Sequence, residues 1–458
     1  MTTSTPSPRM LSSKSVTSAA TSTRASFSSE SPVISQSIQT MRSVWARSGD
    51  VDMASTLLRW TRVNSMSGEQ AIAVQSPELP QPGGQRAGAH RGRSLLRRWV
   101  LLGIAILGFG LAALAVAVAI GAAAGVSATL LGLVVAAIPL GIVVPTFMWL
   151  DRFEAEPTRY LVMAFLWGAL IAVLIAMTLN TAGQLVLWGS IPDDESLALT
   201  AVFVAPVVEE AAKGLLILLV WRFARREFDG VTDGMVYAGV TAAGFAFTEN
   251  IQYLAIAWAE HGQDGLTATF IGRCLLSPFA HPMFTICTGI GIGIAATSRK
   301  GWVRWLAPLT GYAIAVIAHA VWNLAAVSGG NGLFAVYLVV EVPLFLAFLG
   351  FVVWVRRREG RLIGQFLHAY SDAGWLSPAE VSMLASMPRR REARQWARAN
   401  GGRPALRSME DFQDTASELA LLRRRMYHSA ADAQALEDER KLLADLVSRR
   451  REFAGQVL

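Results

Sequence analysis

The chain has only two cysteines, Cys274 and Cys287, among its 458 residues. So few cysteines exclude a disulfide framework, and the sequence has neither a CxxC pair nor a thiolate zinc pattern. Charged residues are also scarce, at 16% of the chain, where soluble domains have roughly 25%. With 53% hydrophobic residues and a mean hydropathy of +0.39, the composition excludes an ordinary soluble enzyme and indicates a membrane protein.

Basic residues outnumber acidic ones, which gives a formal net charge of +7. Most of this excess is arginine at the flanks of apolar runs and in the C-terminal region. Positive-inside bias and attraction to anionic lipid account for such a pattern. The charge therefore predicts a lipid bilayer as partner and no nucleic acid.

Apolar runs of about 20 residues recur from Trp99 onward, and each is long enough to cross a bilayer as a helix. The predicted fold class is all-α: a polytopic membrane helix bundle of about eight transmembrane helices with a C-terminal cytoplasmic helical segment. The predicted spans are approximately 99–123, 128–150, 160–181, 198–220, 234–258, 277–297, 303–326 and 333–355.

Three regions follow from this division. Residues 1–95 are rich in Ser, Thr, Gln, Gly and Pro and predict a disordered cytoplasmic N-terminal tail. Residues 96–358 form the eight-helix transmembrane domain, and 359–458 a cytoplasmic helical tail. In that tail, Ser377 and Glu380 have the spacing of a capping box, and helices near 405–427 and 430–451 are predicted to form a hairpin. Every second loop is basic, which places both termini of this multi-pass protein on the cytoplasmic side of the cell membrane.

The fourth span contains Glu209, Glu210 and Lys213 in the middle of an apolar run. An ionised carboxylate in hydrocarbon needs a partner, water or a proton, so these groups are expected to face the inside of the bundle. On a helix, Lys213 can reach either carboxylate, whereas the two glutamates point roughly 100° apart. One glutamate is thus free to face a cavity, although a structural ion pair would explain the same residues.

Three later spans carry further polar groups. The fifth contains Glu249 and Asn250, Arg273 leads into the sixth, which contains His281, and the seventh contains His319 and Asn323. Each buried polar group needs a partner, and these residues are the available ones. The simplest expectation is that they converge on one cavity.

Two hydrolytic chemistries suit this set of residues. Two imidazoles and a carboxylate can hold zinc with an open position, which leaves another glutamate as general base for the attacking water. Alternatively, a glutamate activates water directly while His and Asn stabilise the oxyanion. A proton- or cation-coupled transporter is the alternative function, but no internal repeat supports it. A non-catalytic membrane scaffold is a third reading.

The polar motifs, taken in order, resemble those of the PrsW family of membrane-embedded proteases. The resemblance rests on the fourth-span glutamates and lysine, Phe245 to Asn250, His281 with Thr285, and His319 to Asn323, together with the loop Asp151 to Pro157. It covers about Leu140 to Leu349 and extends to the larger clan of CAAX prenyl proteases. It implies hydrolysis of peptide bonds in membrane-anchored, single-pass substrates, of which an anti-sigma factor is one candidate.

The polar pattern and the resemblance together give candidate roles to individual residues. The catalytic candidates are Glu209, Glu210, Glu249, His281 and His319. Lys213, Asn250, Arg273 and Asn323 are the supporting candidates. His281 and His319 are the candidate ligands for a metal, with zinc as the candidate cofactor.

Overall fold

A computed structural model describes residues 87–153, 156–188, 191–224, 228, 230–329, 334–428 and 433–457. Within these ranges every regular element is a helix, which confirms the all-α prediction. The predicted N-terminal tail lies outside the described residues except for 87–95, which belong to the first helix.

The helices are numbered here in chain order. They are α1 (Ala87–Ala124), α2 (Val126–Leu150), α3 (Thr158–Leu166), α4 (Val173–Trp188), α5 (Asp193–Leu199), α6 (Ala205–Phe223), α7 (Val231–Thr269), α8 (Ala280–Thr297), α9 (Gly301–Ser328), α10 (Val342–Asp372), α11 (Pro378–Leu384), α12 (Met387–His428) and α13 (Ala433–Val457). Four π-helical turns, Trp167–Ala172, Thr200–Val204, Phe270–Leu276 and Tyr337–Glu341, connect some of them.

Six helical segments of the described chain are long and apolar enough to cross a membrane. They are Leu102–Ala124, Val126–Leu150, Thr158–Leu187, Val231–Thr297, Gly301–Ser328 and Phe334–Asp372. The segment Val231–Thr297 contains both α7 and α8, so it covers two of the predicted spans. The fourth predicted span, which carries three charges in α6, is not among the six. The multi-pass character is therefore confirmed, whereas the count of eight helices is not.

Two of the π-helical turns precede a proline. Pro206 follows Thr200–Val204, and Pro343 follows Tyr337–Glu341. Proline has no N–H to donate, and its ring clashes with the carbonyl four residues earlier. A local π-helical turn accommodates this clash, and such turns are frequent at functional sites. Pro206 therefore sets the start of the helix that carries Glu209.

The α7–α8 segment lies at the centre of the bundle. In its most apolar stretch of 18 residues, 78% of the residues are buried, against 17–33% in the corresponding stretches of the other candidate spans. The two helices approach closely at Gly234 and Gly289, where a Cβ on either residue would lie 2.1 Å from the carbonyl oxygen of the other. Small residues allow such an approach between membrane helices. This contact fixes the two helices that carry Glu249 and His281.

The C-terminal helices have the capping box and the hairpin that the sequence predicts. Ser377 and Glu380 form the capping box of α11: the Ser377 hydroxyl accepts from the Glu380 backbone N–H at 3.2 Å, and the Glu380 carboxylate accepts from the Ser377 N–H at 2.7 Å. The helix α12 kinks at Gly402, which has a φ of +67° and stands two residues before Pro404. The helices α12 and α13 pack against each other, which confirms the predicted hairpin.

Candidate active site

The helix α6 presents three buried charged side chains to the interior of the bundle. Glu210 and Lys213 are fully buried, and Glu209 is 5% exposed. The Lys213 ammonium lies 2.8 Å from Glu210 Oε1 and 3.6 Å from Glu209 Oε2. The lysine thus takes Glu210 as its main partner and leaves Glu209 freer, a choice that the helical spacing leaves open.

Both oxygens of Glu210 are used in the protein interior. Oε1 accepts from Lys213 and lies 3.0 Å from His319 Nδ1, and Oε2 accepts from the Thr285 hydroxyl at 2.7 Å. Charge-assisted hydrogen bonds of this kind are about twice as strong as neutral ones. Glu210 therefore joins α6, α8 and α9 at a single carboxylate.

The two histidines lie together, with ring centres 5.0 Å apart. The His319 Nδ1 faces Glu210, so its Nε2 points towards Glu209 Oε2 at 3.7 Å. His281 lies between charged groups: its Nε2 is 2.7 Å from Glu249 Oε2, and its Nδ1 is 3.2 Å from the Lys213 ammonium. If Lys213 donates to Nδ1, the ring proton of His281 resides on Nε2 and is donated to Glu249.

Glu249 on α7 has a second partner, the cationic Arg273. The Arg273 guanidinium donates to Glu249 Oε2 at 2.7 Å and to Asn250 Oδ1 at 3.0 Å, and it stacks 4.0 Å over the ring of Tyr253. Arg273 belongs to the π-helical turn Phe270–Leu276, which presents it to the bundle. The Glu249 side chain is 15% exposed, more than those of Glu209 and Glu210.

Aromatic rings line the cluster of charges. The Lys213 ammonium lies 4.0 Å from the Phe245 ring centre, and the Phe284 ring stacks on His319 at 5.3 Å. Rings in these positions exclude water and strengthen the electrostatic interactions between the charges they surround.

Glu209, His281 and His319 can jointly hold a metal ion. One ligand atom from each lies within 4.8 Å of the other two, and all three side chains are buried. Glu209 Oε2 has no hydrogen bond although it is buried, so it is available as a ligand. Glu210 on His319 Nδ1 supplies the carboxylate–histidine pairing that orients metal-binding histidines. His281 can be the third ligand once one of its ring nitrogens exchanges its contact with Lys213 or Glu249 for the metal. The donor set of one carboxylate and two imidazoles is typical of catalytic zinc.

The structure brings together most of the residues singled out from the sequence. The five catalytic candidates form one cluster with Lys213, and Arg273 and Asn250 lie behind Glu249. Asn323 has no described hydrogen bond with the residues of this cluster. Its amide donates instead to the Ala201 carbonyl at 2.8 Å, in the π-helical turn before α6. The π-helical geometry leaves this carbonyl available to a side chain.

One further residue at the cluster was not singled out from the sequence. The Asn180 amide on α4 donates to Glu209 Oε1 at 3.4 Å. The signal was an amide within the apolar run Val173–Trp188, with Gln184 one helical turn further on, but no charged residue in this run drew attention to it. The loop after α2 also contributes contacts, because Tyr237 donates to Glu156 at 2.6 Å.

The described fold and site define a multi-pass membrane protein that encloses a hydrolytic set of carboxylates and imidazoles. A family model described as PrsW family intramembrane metalloprotease matches residues 156–348. Three relatives are each named Protease PrsW. The protein of Geobacillus kaustophilus (strain HTA426) is 28% identical over 38% of this chain and 72% of the relative. The protein of Bacillus subtilis (strain 168) is 29% identical over 37% of this chain and 72% of the relative. The protein of Clostridioides difficile (strain 630) is 32% identical over 30% of this chain and 55% of the relative. No solved structure gives a significant match.

Over residues 156–348 the chain is thus similar to the PrsW family of intramembrane metalloproteases. All five catalytic candidates and the residues behind them fall within the segment that the family model matches. The transporter alternative is not favoured by these relatives. The residues before position 156 and after 348 lie outside the match, which therefore leaves out the helices α11, α12 and α13.

Proposed function

We propose that this protein hydrolyses a peptide bond of a single-pass, membrane-anchored substrate at the cluster of Glu209, Glu210, Glu249, His281 and His319. The observation that carries the proposal is the convergence of these side chains from four helices on one buried place. Buried ionisable groups are costly in a bilayer, and structural needs alone do not require three carboxylates within contact of two histidines.

Glu209, His281 and His319 are the proposed ligands of a divalent metal, and zinc suits this donor set. Such a metal, when bound, would polarise the scissile carbonyl and increase the acidity of the attacking water. Glu210 has a positioning role in this scheme: it holds the proton of His319 at Nδ1 and so leaves Nε2 directed towards Glu209.

Glu249 is the proposed general base. It is the most exposed of the three carboxylates, and one of its oxygens is already shared by His281 and Arg273. Its other oxygen can therefore accept a proton from the attacking water while Oε2 keeps its two partners. Arg273 and Asn250 are proposed to hold the Glu249 carboxylate in position.

The basic loops support an orientation with both termini in the cytoplasm. The arginines at 91, 93, 97 and 98 precede the first span, and those at 356, 357 and 358 follow the last. The substrate is proposed to be a single-pass protein that enters the bundle laterally, and an anti-sigma factor is one candidate.

Cleavage of a panel of single-pass membrane proteins by the purified full chain tests this function. Wild type should cut at least one of them, and Glu209→Gln and Glu249→Gln should each lower the rate by at least about 100-fold. Glu341→Gln is the matched control, since Glu341 is another buried carboxylate in an apolar span and lies outside the cluster. A zinc chelator should abolish cleavage, and zinc should restore it.

Three results would count against this proposal. Equal loss of rate in Glu341→Gln would show a general effect of removing a buried carboxylate. Cleavage that survives both substitutions would place the chemistry elsewhere. Cleavage that is lost in the variants but insensitive to the chelator would remove the metal and leave direct activation of water by a glutamate.

A further inference from the structure

A second polar site lies far from the cluster in sequence, at the end of the bundle where α2 and α10 leave their apolar spans. It is a cavity of about 650 Å³ between the end of α2, α10 and the α11–α12 junction. Six arginines line this arginine cavity: Arg152, Arg356, Arg357, Arg361, Arg391 and Arg394. Among the described residues that line it, none is acidic.

These arginines come from three separate parts of the chain. Arg152 follows α2, three belong to α10, and Arg391 and Arg394 belong to α12. Within the described residues none of the six makes an ion pair. Glu359 attracts Arg356, and Glu410 and Asp414 attract Arg394, but these carboxylates stand outside the cavity wall.

A nearby arginine shows what a structural role looks like in this region. Arg390 is 1% exposed and donates to the Leu384 carbonyl at 2.8 Å and the Ser417 hydroxyl at 2.5 Å, while its guanidinium stacks on Phe153 at 5.0 Å. Its hydrogen-bonding capacity is used within the protein. Within the described part of the chain the six cavity arginines have no such set of partners, although assembling like charges around one space is unfavourable. The pKa of Arg394 is lowered by burial and then by the positive charge of Arg152.

The position of the cavity relative to the membrane indicates the kind of anion. Trp149 lines it, is 40% exposed and lies 3.7 Å from the Arg356 guanidinium at the last turn of an apolar span. On α10 the apolar run ends at Val355, directly before Arg356. Tryptophan and arginine at the ends of spans sit at the level of lipid headgroups. Arginine is also the side chain best suited to bind phosphate through two parallel hydrogen bonds.

We propose that the arginine cavity binds a phosphate-bearing anion, in the position where the headgroup of an anionic phospholipid would lie. A bound phosphate would neutralise arginines from α2, α10 and α12 together, and would thereby stabilise the packing of the C-terminal helices against the membrane-spanning bundle. This site is independent of the proposed proteolytic chemistry.

The test is binding to the purified full chain in neutral detergent, with two probes. One probe is dioleoyl phosphatidylglycerol, with phosphatidylcholine as the neutral comparison, followed by native mass spectrometry. The other is inorganic pyrophosphate, followed by calorimetry. Wild type should bind phosphatidylglycerol, and Arg391→Gln/Arg394→Gln should weaken this binding about 25-fold, at roughly fivefold per arginine.

Arg398→Gln/Arg407→Gln is the matched control. It removes the same charge from two exposed arginines of α12 that do not line the cavity, and it should leave binding unchanged. Should the first variant fail to fold, Arg152→Gln/Arg357→Gln removes two exposed arginines from the opposite wall and should weaken binding to a similar extent.

The two probes distinguish the sources of the phosphate. Cavity-dependent binding of phosphatidylglycerol alone supports a lipid, and cavity-dependent binding of pyrophosphate alone supports a soluble phosphate compound. The proposal is overturned if wild type binds neither probe, if phosphatidylcholine binds as tightly as phosphatidylglycerol, or if the control variant loses as much affinity as the cavity variants.

Discussion

Glu209 and Glu210 are neighbours in the sequence, yet their replacement by glutamine should affect different properties. Glu210 has three partners: Lys213 at 2.8 Å, Thr285 at 2.7 Å and His319 at 3.0 Å. Glutamine at this position removes the charge and one acceptor. Of the carboxylates described in contact with the buried Lys213, it leaves only Glu209, at 3.6 Å. Breaking a buried ion pair in this way costs about 3–5 kcal/mol in the free energy of unfolding.

Glu209→Gln removes much less that stabilises the fold. Its Oε2 has no hydrogen bond, and its Oε1 accepts one weak bond from Asn180 at 3.4 Å, which a glutamine oxygen also accepts. The expected loss is about 1 kcal/mol. Hydrolysis, in contrast, should fall by at least about 100-fold, because a proposed metal ligand is removed.

Stability can be followed through Cys274, which is 6% exposed and reacts with a thiol-specific dye only when the bundle opens. On heating in detergent, Glu210→Gln should unfold roughly 6–20 °C below wild type, and Glu209→Gln within about 4 °C of it. Cleavage at a temperature where both variants are folded gives the second readout. Equal destabilisation by the two substitutions, or a Glu210→Gln protein as stable as wild type, would refute the assignment of Glu210 as the structural centre of the cluster.

Two further predictions concern packing and pH. Gly234→Ala should cost about 1–3 kcal/mol in the free energy of unfolding, because its Cβ would meet the Gly289 carbonyl at 2.1 Å, whereas Gly141→Ala, with open space around it, should be neutral or slightly stabilising. Burial raises the pKa of Asp151, which follows the second span, from 3.8 to about 8. Its protonated form is therefore favoured on folding, so stability should fall as pH rises from 3.8 towards 8, by up to about 1.4 kcal/mol per pH unit. Asp151→Asn keeps an acceptor for the Glu156 N–H and should flatten this slope in thermal unfolding from pH 5 to 8; an unchanged slope would contradict the reasoning.

Local physical chemistry made most of the fold predictable. Apolar length determines which helices can cross a bilayer, and a capping box or a glycine before a proline acts within a few residues. The Ser377 cap and the kink at Gly402 follow from such signals. The central position of the α7–α8 segment was not predictable in this way. It depends on contacts between glycines such as Gly234 and Gly289, which are far apart in the sequence.

The membership of the candidate site was predictable because a buried charge needs a partner, and few partners exist within the apolar spans. The pairing of these groups was not predictable. Sequence spacing allows Lys213 to reach either glutamate, and only the packing of Thr285 and His319 against Glu210 decides between them. Asn180 was missed because the polar residues of its run, including Gln184, are all uncharged, and uncharged groups in a helix carry little signal. Asn323 was expected at the cluster but its amide bonds the Ala201 carbonyl instead.

The charges of the cluster bear on where a metal would bind. Counted as ionised, its three glutamates outnumber its two cations, Lys213 and Arg273, so one negative charge is left when both histidines are neutral. Lys213 lies closest to Glu210, and Arg273 lies on Glu249. The remaining charge therefore belongs to Glu209, whose Oε2 is also the atom without a hydrogen bond. An uncompensated carboxylate is costly in a bilayer unless a proton or a cation neutralises it. Glu209 Oε2, which faces His319 Nε2, is thus the least satisfied atom of the cluster. A divalent cation would be stabilised most beside this atom.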